Sequence, residues 1–254
     1  MSETVKKLSP LLAATKNALN IEQPWLHWFI YGDSGSGKTT AAASFPRPLF
    51  LVPANESSIV TLTGMDVPYI EITGQHGPVS KGRGGMEAAL SLVENEYAKD
   101  PDNFPYDTIV VESLTHYMDL IQEELTENNA QQMDQRKWGL VATHLRNIQM
   151  RLRNLEVHAV FTALAKVSEN DAGTVIGGPM LSGQSAIKLP SACDIIGYAE
   201  APANKKGKHT IHFRRRGHFF ARSRFRGMPA SVENFDYPAV QKYLSGDKKK
   251  QPNK

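Results

Sequence analysis

The residues best suited to chemistry form the short stretch Gly32-Asp33-Ser34-Gly35-Ser36-Gly37-Lys38-Thr39, which is followed by Thr40. The stretch matches the pattern G-x-x-x-x-G-K-[ST], in which glycines allow backbone N–H groups to approach phosphate oxygens. In this pattern the lysine reaches the β- and γ-phosphates of a nucleotide, and the hydroxyl after it binds Mg²⁺. An apolar run precedes the stretch and a helix-forming segment follows it, which would point the positive end of a helix dipole at the same anion. The sequence therefore predicts a phosphate-binding loop.

Two carboxylates could complete such a site. Glu112 follows the apolar run TIVV, where an acid for Mg²⁺ would lie at the end of a neighbouring strand. Aspartate is more common there, and the extra methylene of glutamate still permits contact through a water. Glu56 follows the apolar run PLFLVP and could orient the water that attacks the γ-phosphate. Each has a second interpretation, because Glu112 could cap the next helix and Glu56 could be an acid of a surface loop.

Positive charge is concentrated late in the chain. The stretch 204–227 carries nine Lys or Arg residues and no acid, although the net charge of the whole chain is only +3. Such a cluster predicts either a surface for a polyanion, ATP phosphates or nucleic acid, or a solvated hairpin. Aromatic residues in and beside the cluster could stack on bases, but we expect at least half of them to belong to the core: Phe213, Phe219, Phe220 and Phe225.

Composition restricts the class of protein. The 254 residues suffice for one large domain or two small ones, and apolar residues make up 41% of them. A charged share of 22% argues against wholesale disorder, and no apolar run is long enough to cross a bilayer. The one cysteine, Cys193, excludes an internal disulfide framework. We therefore expect a protein of the reducing cytoplasm that has no membrane partner.

Predicted strands alternate with predicted helices along the chain. Strands are predicted in PWLHWFIY, PLFLVPA, VPYIEIT, YDTIVVES, HAVFTALAK and CDIIGYAEA, and helices in GKTTAAASF, MEAALSLVENEYA, LTHYMDLIQEEL, DQRKWGLVATHLRNIQMRLRNL and YPAVQKYLSG. HTIHFRR and HFFARSRF predict a hairpin that turns near Gly217. GQHGPVSKGRGG and VSENDAGTVIGGPMLSGQ predict loops, the first of them mobile. This order predicts an α/β domain with a mostly parallel central sheet, helices on both faces and an antiparallel C-terminal hairpin.

With these features the chain resembles the RecA-like P-loop ATPases of phage type, which include core-only recombinases, single-strand annealing proteins and phage nucleotide-binding proteins. The resemblance extends from Trp25 to Leu244 and rests on the loop and on segments in the family's order: LFLVPANESS, YDTIVVESLTHYMDLI, QRKWGLV, VFTALAKV, CDIIGYAE and FFARSRFRGMP. It implies a RecA-like ATPase core over residues 24–245. The residues outside this core predict a short N-terminal extension over 1–23 and, from their charge, a disordered basic tail over 246–254.

The resemblance also implies roles for the residues of the predicted site. ATP and Mg²⁺ would be the cofactors, with Lys38 and Thr39 as their contacts, Glu56 as the catalytic glutamate and Glu112 as the acid beside Mg²⁺. One departure from the family is Leu164, which stands where a polar sensor residue is usual, and Lys166 is a candidate substitute.

The same resemblance implies a role for the basic stretch 204–227. Arg222 and Arg224 lie two apart on a predicted strand and would face the same way. They would reach the ATP of a neighbouring subunit as arginine fingers, or else line a DNA groove or face solvent. Two loops are candidates for DNA contact: GQHGPVSKGRGG, with Lys81 and Arg83, and KVSENDAGTVIGGPMLSGQ, which follows the strand that carries Leu164 (the sensor strand).

The function implied is ATP hydrolysis coupled to single-stranded DNA in phage recombination, by strand annealing or exchange, in the host cytoplasm if the protein is phage-encoded. Its partners would be single-stranded DNA, further copies of the chain in a filament or ring, and a single-strand-binding protein as a candidate. Two other classes stay open: a phosphotransferase that acts on a small molecule such as a nucleotide, and a module that binds ATP without hydrolysis or loads a helicase.

Overall fold

The computed structural model describes residues 25–128, 130–169, 173, 175–202, 204 and 207–244. The predicted extension 1–23 and the predicted tail 246–254 lie outside these residues. The strands are β1 (His27–Gly32), β2 (Pro48–Pro53), β3 (Tyr69–Ile72), β4 (Thr108–Val111), β5 (His158–Glu169), β6 (Val175–Pro179), β7 (Ile195–Glu200), β8 (Thr210–His212), β9 (Arg222–Ser223) and β10 (Ser231–Glu233). The helices are α1 (Lys38–Ala43), α2 (Met86–Lys99), α3 (Leu114–Leu125), α4 (Gln135–Arg153), α5 (Ser185–Ser191) and α6 (Tyr237–Leu244), with a 3₁₀ helix over Ser58–Leu62.

The strands form one mostly parallel sheet, as the sequence predicts. Six of them run parallel in the order β7-β1-β5-β4-β2-β3. Antiparallel pairs add β8 and β9 to β7, β10 to β8, and β6 to β5. Because β1, β5, β4 and β2 are parallel neighbours, their C-terminal ends meet at one edge of the sheet, where ligands of such folds bind.

The alternation of side chains along β1 explains how helices cover both faces of the sheet. Trp28 and Ile30 belong to a core with α1 and α6, while Phe29 and Tyr31 belong to a second core with α2, α3, α4 and α5. All four side chains are fully buried. A strand buried on both faces has no polar alternation, which is why its sequence reads as a continuous apolar and aromatic run.

The antiparallel strands predicted at the C-terminus are confirmed, but they have other partners than the predicted hairpin gives them. β8 pairs with β7 and β10, and β9 pairs with β7, so the two predicted hairpin strands do not pair with each other. A tight turn at Gly217 is present, with reciprocal backbone hydrogen bonds of 3.0 Å between Arg216 and Phe219. After this turn the ring of Phe219 stacks on that of Tyr198, with ring centroids 4.0 Å apart. Of the four phenylalanines of the basic stretch, Phe213 is buried and the other three are half-buried against the cores.

Two segments predicted as loops are more ordered than the sequence indicates. β5 continues to Glu169 and pairs with β6, and α5 follows, in place of a loop after the sensor strand. The glycine-rich segment 74–85 consists of turns, and its mobility stays a prediction. Its Ser80 is buried and donates to Glu124 from both its backbone nitrogen and its hydroxyl, at 3.0 and 2.6 Å. Tertiary contacts that local sequence does not show hold both segments.

Of the helices in the described ranges, none combines the length and the apolar character that a membrane span requires.

Candidate functional site

The predicted phosphate-binding loop lies at the C-terminal end of β1 and leads directly into α1. Gly32 has no room for a side chain, because a Cβ there would lie 2.2 Å from the carbonyl oxygen of Ala199. Gly37 precedes the helix with φ of 88°, a left-handed conformation that favours glycine. The glycines thus allow the loop to turn tightly above β1.

Lys38 folds back over the loop that precedes it. Its Nζ donates to the carbonyl oxygens of Gly32 and Asp33 at 3.0 and 2.8 Å. Burial lowers the pKa of Lys38, and the nearby Glu112, Glu56 and Asp33 act in the opposite direction. The amine therefore lies among carboxylates and carbonyl oxygens. A bound phosphate would replace the carbonyl oxygens as its hydrogen-bond acceptor.

Thr39 and Glu112 join the loop to the neighbouring strand β4. Side chains alternate along β4, so Glu112 points to the same face as Val110, the face covered by α1. There the hydroxyl of Thr39 donates to Oε1 of Glu112 at 2.8 Å. The side chain of Ser113, not that of Glu112, caps α3, by accepting from the backbone nitrogen of His116. The capping interpretation of Glu112 is thereby wrong.

Glu112 is a buried acid whose environment is unusual. It is 2% exposed, and its Oε2 has no hydrogen-bond partner among the described residues. Burial raises the pKa of Glu112 to about 7, although the hydrogen bond from Thr39, the nearby hydroxyl of Thr162 and the charge of Lys38 lower it. A buried carboxylate oxygen without a donor is costly unless a cation or a donor reaches it. This oxygen suits contact with Mg²⁺, directly or through a water.

Glu56 lies across the same cleft, at the start of the segment that follows β2. Its side chain is 8% exposed and its Oε2 pairs with Nδ1 of His116. The hydroxyl of Ser113 donates to the same oxygen at 3.2 Å. Glu56 is therefore a cleft residue rather than an acid of the open surface.

These side chains line one cleft of about 740 Å³, a volume within the usual range of small-molecule sites. The loop, Glu56, Glu112 and His116 line this cleft. It is also lined by residues of β8 and of the segments before β8 and after β10: His209, Ile211, Asn234 and Phe235. The lining thus combines charged and polar groups with apolar and aromatic ones.

The cleft offers few protein ligands to a metal ion. Among the described residues, no group of three or more His, Cys, Asp or Glu side chains could hold a metal ion. Mg²⁺ commonly uses one or two protein oxygens together with substrate phosphates and waters. Thr39 and Glu112 fit that donor set, so they would hold Mg²⁺ together with a bound polyphosphate.

The two arginines predicted as fingers lie far from the loop of their own chain. Arg222 pairs with Ile196 of β7, and the backbone nitrogen of Arg224 donates to the carbonyl oxygen of Asp194. Asp194 is level with His27 at the start of β1, five residues or about 16 Å before the loop. Both guanidinium groups donate to the carbonyl oxygen of Ser191, at 2.6 and 3.4 Å. A role at a neighbour's ATP stays a prediction.

Of the two residues considered for the sensor role, only one reaches the cleft. Leu164 lines it, as its place on β5 predicts, while Lys166 donates to the carbonyl oxygen of Leu181 at 2.8 Å and is not among the lining residues. Sequence reasoning left several cleft residues unassigned, among them Ser113, His116, His209 and Asn234. His116 lies on the first turn of the helix that follows Glu112, but its partner Glu56 is distant in the sequence, so no local signal marks the pair.

One of the comparisons with known proteins shows the family of the domain. A family model described as an AAA domain matches residues 26–225. A comparison with curated proteins found no match. A solved structure of a prototypical ATPase from the type III secretion system of pathogenic bacteria is similar at 13% identity and a TM-score of 0.47, over 69% of this chain and 51% of that one. The chain thus spans about half the length of that ATPase. The AAA match includes the loop, both cleft glutamates and both arginines.

Proposed function

Because the chain belongs to the AAA-domain family and is a P-loop NTPase, we propose that it hydrolyses ATP with Mg²⁺ and acts on single-stranded DNA in phage recombination, by annealing or exchange of strands. The observation that carries the hydrolytic part is the convergence of four side chains on one cleft. These are Lys38, Thr39, Glu56 and Glu112. Their types match the phosphate contact, the two metal-side oxygens and the water-activating carboxylate that phosphoryl transfer requires.

Each group has a defined part in the reaction. The oxygen of a water attacks the γ-phosphorus, and the bond from that phosphorus to the β–γ bridging oxygen breaks. Glu56 takes a proton from the water, ADP leaves with the electron pair of the broken bond, and inorganic phosphate is the second product. Lys38 offsets the negative charge on the phosphate oxygens, and Mg²⁺ held by Thr39 and Glu112 would supply further positive charge there.

The lining residues from the last strands suit the base of the nucleotide. A ring and an aliphatic side chain, His209 and Ile211, offer apolar contact, and the amide of Asn234 can donate to or accept from a base edge. A Cβ on Gly37 would lie 3.3 Å from the ring of His209, so these residues begin directly beside the loop. One nucleotide can therefore extend from the loop to these residues.

The DNA part of the proposal is supported by charge on the surface beside the cleft. Arg214, Arg215 and Arg216 are consecutive and exposed. The turn that carries them is fixed to the β5–β6 ribbon, since the backbone nitrogen of Gly177 donates to the carbonyl oxygen of His218 at 3.1 Å. Arg216 also lies 3.3 Å from Glu200, which ends β7 at the edge of the sheet that holds the loop. Cations near the nucleotide end of the fold would allow a polyanion and ATP to influence each other.

Turnover of ATP tests the hydrolytic part. We expect Lys38→Ala and Glu56→Gln each to lower the turnover number by about 100-fold or more. Lys99→Ala, a lysine on the exposed surface of α2, should leave it unchanged. Nucleosides and nucleotides are added as acceptors in the same assay. Transfer to an acceptor faster than to water would indicate a phosphotransferase, and no turnover above that of Glu56→Gln would indicate an ATP-binding module without hydrolysis.

Retention of a single-stranded oligonucleotide at several salt concentrations tests the DNA part. Removing two phosphate contacts should reduce the slope of log affinity against log salt by about 1.4, so we expect this change in the double variant Arg214→Ala, Arg215→Ala. Arg146→Ala, which removes an exposed arginine of α4, should leave the slope unchanged. Wild-type protein that shows no salt-sensitive retention, with or without ATP, would refute the DNA part alone.

A further inference from the structure

His116 lines the cleft but has no part in the reaction as described above. It lies on the first turn of α3, four residues after Glu112, and its side chain is 25% exposed. Its ring pairs with Glu56, which comes from a different part of the sequence, three residues after the end of β2. The pair therefore exists only in the folded protein.

The hydrogen bonds around Glu56 define which atom carries the proton. Nδ1 of His116 pairs with Oε2 of Glu56, and the hydroxyl of Ser113 lies 2.8 Å from that nitrogen and donates to the same oxygen. An ionised carboxylate only accepts hydrogen bonds, so Nδ1 carries the hydrogen of this contact. The start of α3 thus directs two donors at one oxygen of Glu56.

The charges around the pair favour a positive His116. The hydrogen bond with Glu56 raises the pKa of His116, burial opposes the rise, and the charges of Glu56, Asp119 and Glu112 add to it. Glu56 and Glu112 also act on each other, since the charge of Glu56 contributes to the raised pKa of Glu112. A cation beside Glu56 offsets this repulsion.

We propose that His116 is a positioning residue for Glu56: the N–H at Nδ1 holds Oε2, so the carboxylate keeps the orientation in which it takes a proton from the attacking water. The inference rests on the proposed function, because it gives Glu56 the water-activating role. His116 acts through Glu56, so its removal should lower the turnover number and leave the affinity for ATP nearly unchanged. A displacement of about 1 Å in a reacting group can cost about 100-fold in rate.

Three substitutions separate positioning from mere packing. Asparagine places an amide nitrogen near the position of Nδ1, while glutamine places one nearer to Nε2. We expect His116→Asn to retain turnover within about threefold of wild type, and His116→Ala and His116→Gln to lose about 10- to 100-fold. The dissociation constant for ATP should change by less than about twofold in all three. His144→Ala, a half-buried histidine of α4, serves as the matched control and should behave as wild type.

A double-mutant cycle tests whether His116 works through Glu56. In a Glu56→Gln background, His116→Ala should lower turnover no further, because the group it positions is already gone. NMR titration of the His116 ring provides a readout that is independent of hydrolysis. Glu56→Gln should lower the pKa of His116 relative to the wild type, and His144 should not respond.

The outcomes distinguish the inference from the function on which it rests. If Glu56→Gln turns over ATP like the wild type, the proposed role of Glu56 is wrong. If Glu56→Gln is impaired and His116→Ala is not, the positioning role alone is wrong. Equal losses for asparagine, glutamine and alanine at position 116, or additive losses in the cycle, would likewise overturn it.

Discussion

The hydroxyl of Thr39 donates a 2.8 Å hydrogen bond to Oε1 of Glu112, which joins the phosphate-binding loop to the end of β4. The other oxygen of Glu112 has no partner among the described residues. Thr39 and Glu112, which the sequence predicts as the metal contacts, are therefore hydrogen-bonded to each other. Oε2 of Glu112 is the buried acceptor that a cation could contact. This pair gives the first prediction.

Glu112→Gln should lower Mg²⁺-dependent turnover by about 100-fold, because a metal at a phosphoryl group is worth several kcal/mol. It should also stabilise the nucleotide-free protein at high pH. Burial raises the pKa of Glu112 from 4.5 to about 7, so between these values the folded state keeps a proton that the unfolded state releases. Wild-type stability therefore falls as pH rises through this window, by up to about 3 kcal/mol.

Denaturant unfolding of both proteins at several pH values measures the effect. The variant should be the more stable protein at pH above about 7, and the difference should shrink as pH falls to 4.5. A difference that does not depend on pH would contradict the prediction.

Gly37→Ala should weaken ATP binding by about tenfold or more. Alanine in the left-handed conformation costs about 1–2 kcal/mol, and its Cβ would press on the ring of His209, so the loop must shift. Gly139→Ala is the matched control, since a Cβ there meets nothing within 4 Å and α4 should gain about 1 kcal/mol. Calorimetric titration with a non-hydrolysable analogue compares the two, and equal affinities would show that the conformation of Gly37 is not required.

His158 should make the protein less stable as pH falls from 6.5 to 4. Its Nδ1 accepts from the backbone nitrogen of Leu26, so the neutral ring carries its hydrogen at Nε2, 3.0 Å from the hydroxyl of Tyr237. Burial lowers the pKa of His158 from 6.5 to about 4. In that window the unfolded chain binds a proton that the folded protein does not, and up to about 3 kcal/mol is lost.

A variant without this titration checks the claim. Asparagine in His158→Asn can accept from Leu26 and does not ionise, so its stability should depend less steeply on pH between 4 and 6.5. Parallel curves for the two proteins would show that His158 does not cause the loss.

Gly177→Ala should destabilise the contact between the β5–β6 ribbon and the basic turn. Its Cβ would lie 2.4 Å from the ring of Phe219, which cannot retreat because it stacks on Tyr198. We expect a cost of about 1–3 kcal/mol. Gly178→Ala, where a Cβ would make an ordinary contact at 3.6 Å, should change stability by less than about 0.5 kcal/mol. Thermal unfolding compares the neighbours, and equal melting temperatures would contradict the prediction.

Mixed assemblies test whether Arg224 serves a neighbour's ATP. If Lys38→Ala and Arg224→Ala proteins each lose turnover, an equimolar mixture should recover about a quarter of the wild-type rate, because random mixing restores one junction in four. Lys38→Ala mixed with Glu56→Gln is the control, since both residues belong to the same cleft and no junction is restored. A mixture no faster than the mean of its components would exclude the role in trans.

The sequence predicts much of this fold because the parallel strands are buried on both faces. β1, β4 and β5 read as continuous apolar runs. The loop pattern identifies Lys38 and Thr39 after β1, and Glu112 is found in the same way as the acid that follows β4. The sheet order then brings Glu56 to the same edge. These features depend on local pattern and on parallel topology, which a single sequence contains.

Two of the failures concern contacts between distant segments, and one concerns a helix too short for its period to be seen. β8 and β9 look like a hairpin because a turn joins them, but each finds its partner in β7. α5 contains Pro190 and has only 7 residues, so periodicity does not reveal it. His116 has no metal-ligand spacing, and its meaning comes from Glu56, 60 positions earlier. Pairings of this kind are set by packing and leave no local pattern.

The phosphate-binding loop and Arg224 lie at opposite ends of β1 in one chain, and this restricts how two chains can share an ATP site. For an arginine of one subunit to reach the loop of the next, the start of one sheet must face the end of another. That contact is heterologous, so it cannot close as a two-fold dimer, and it gives any assembly a polarity. Unless the rotation closes, the last subunit would keep a nucleotide without a facing guanidinium, and the rate per chain would increase with the number of chains joined.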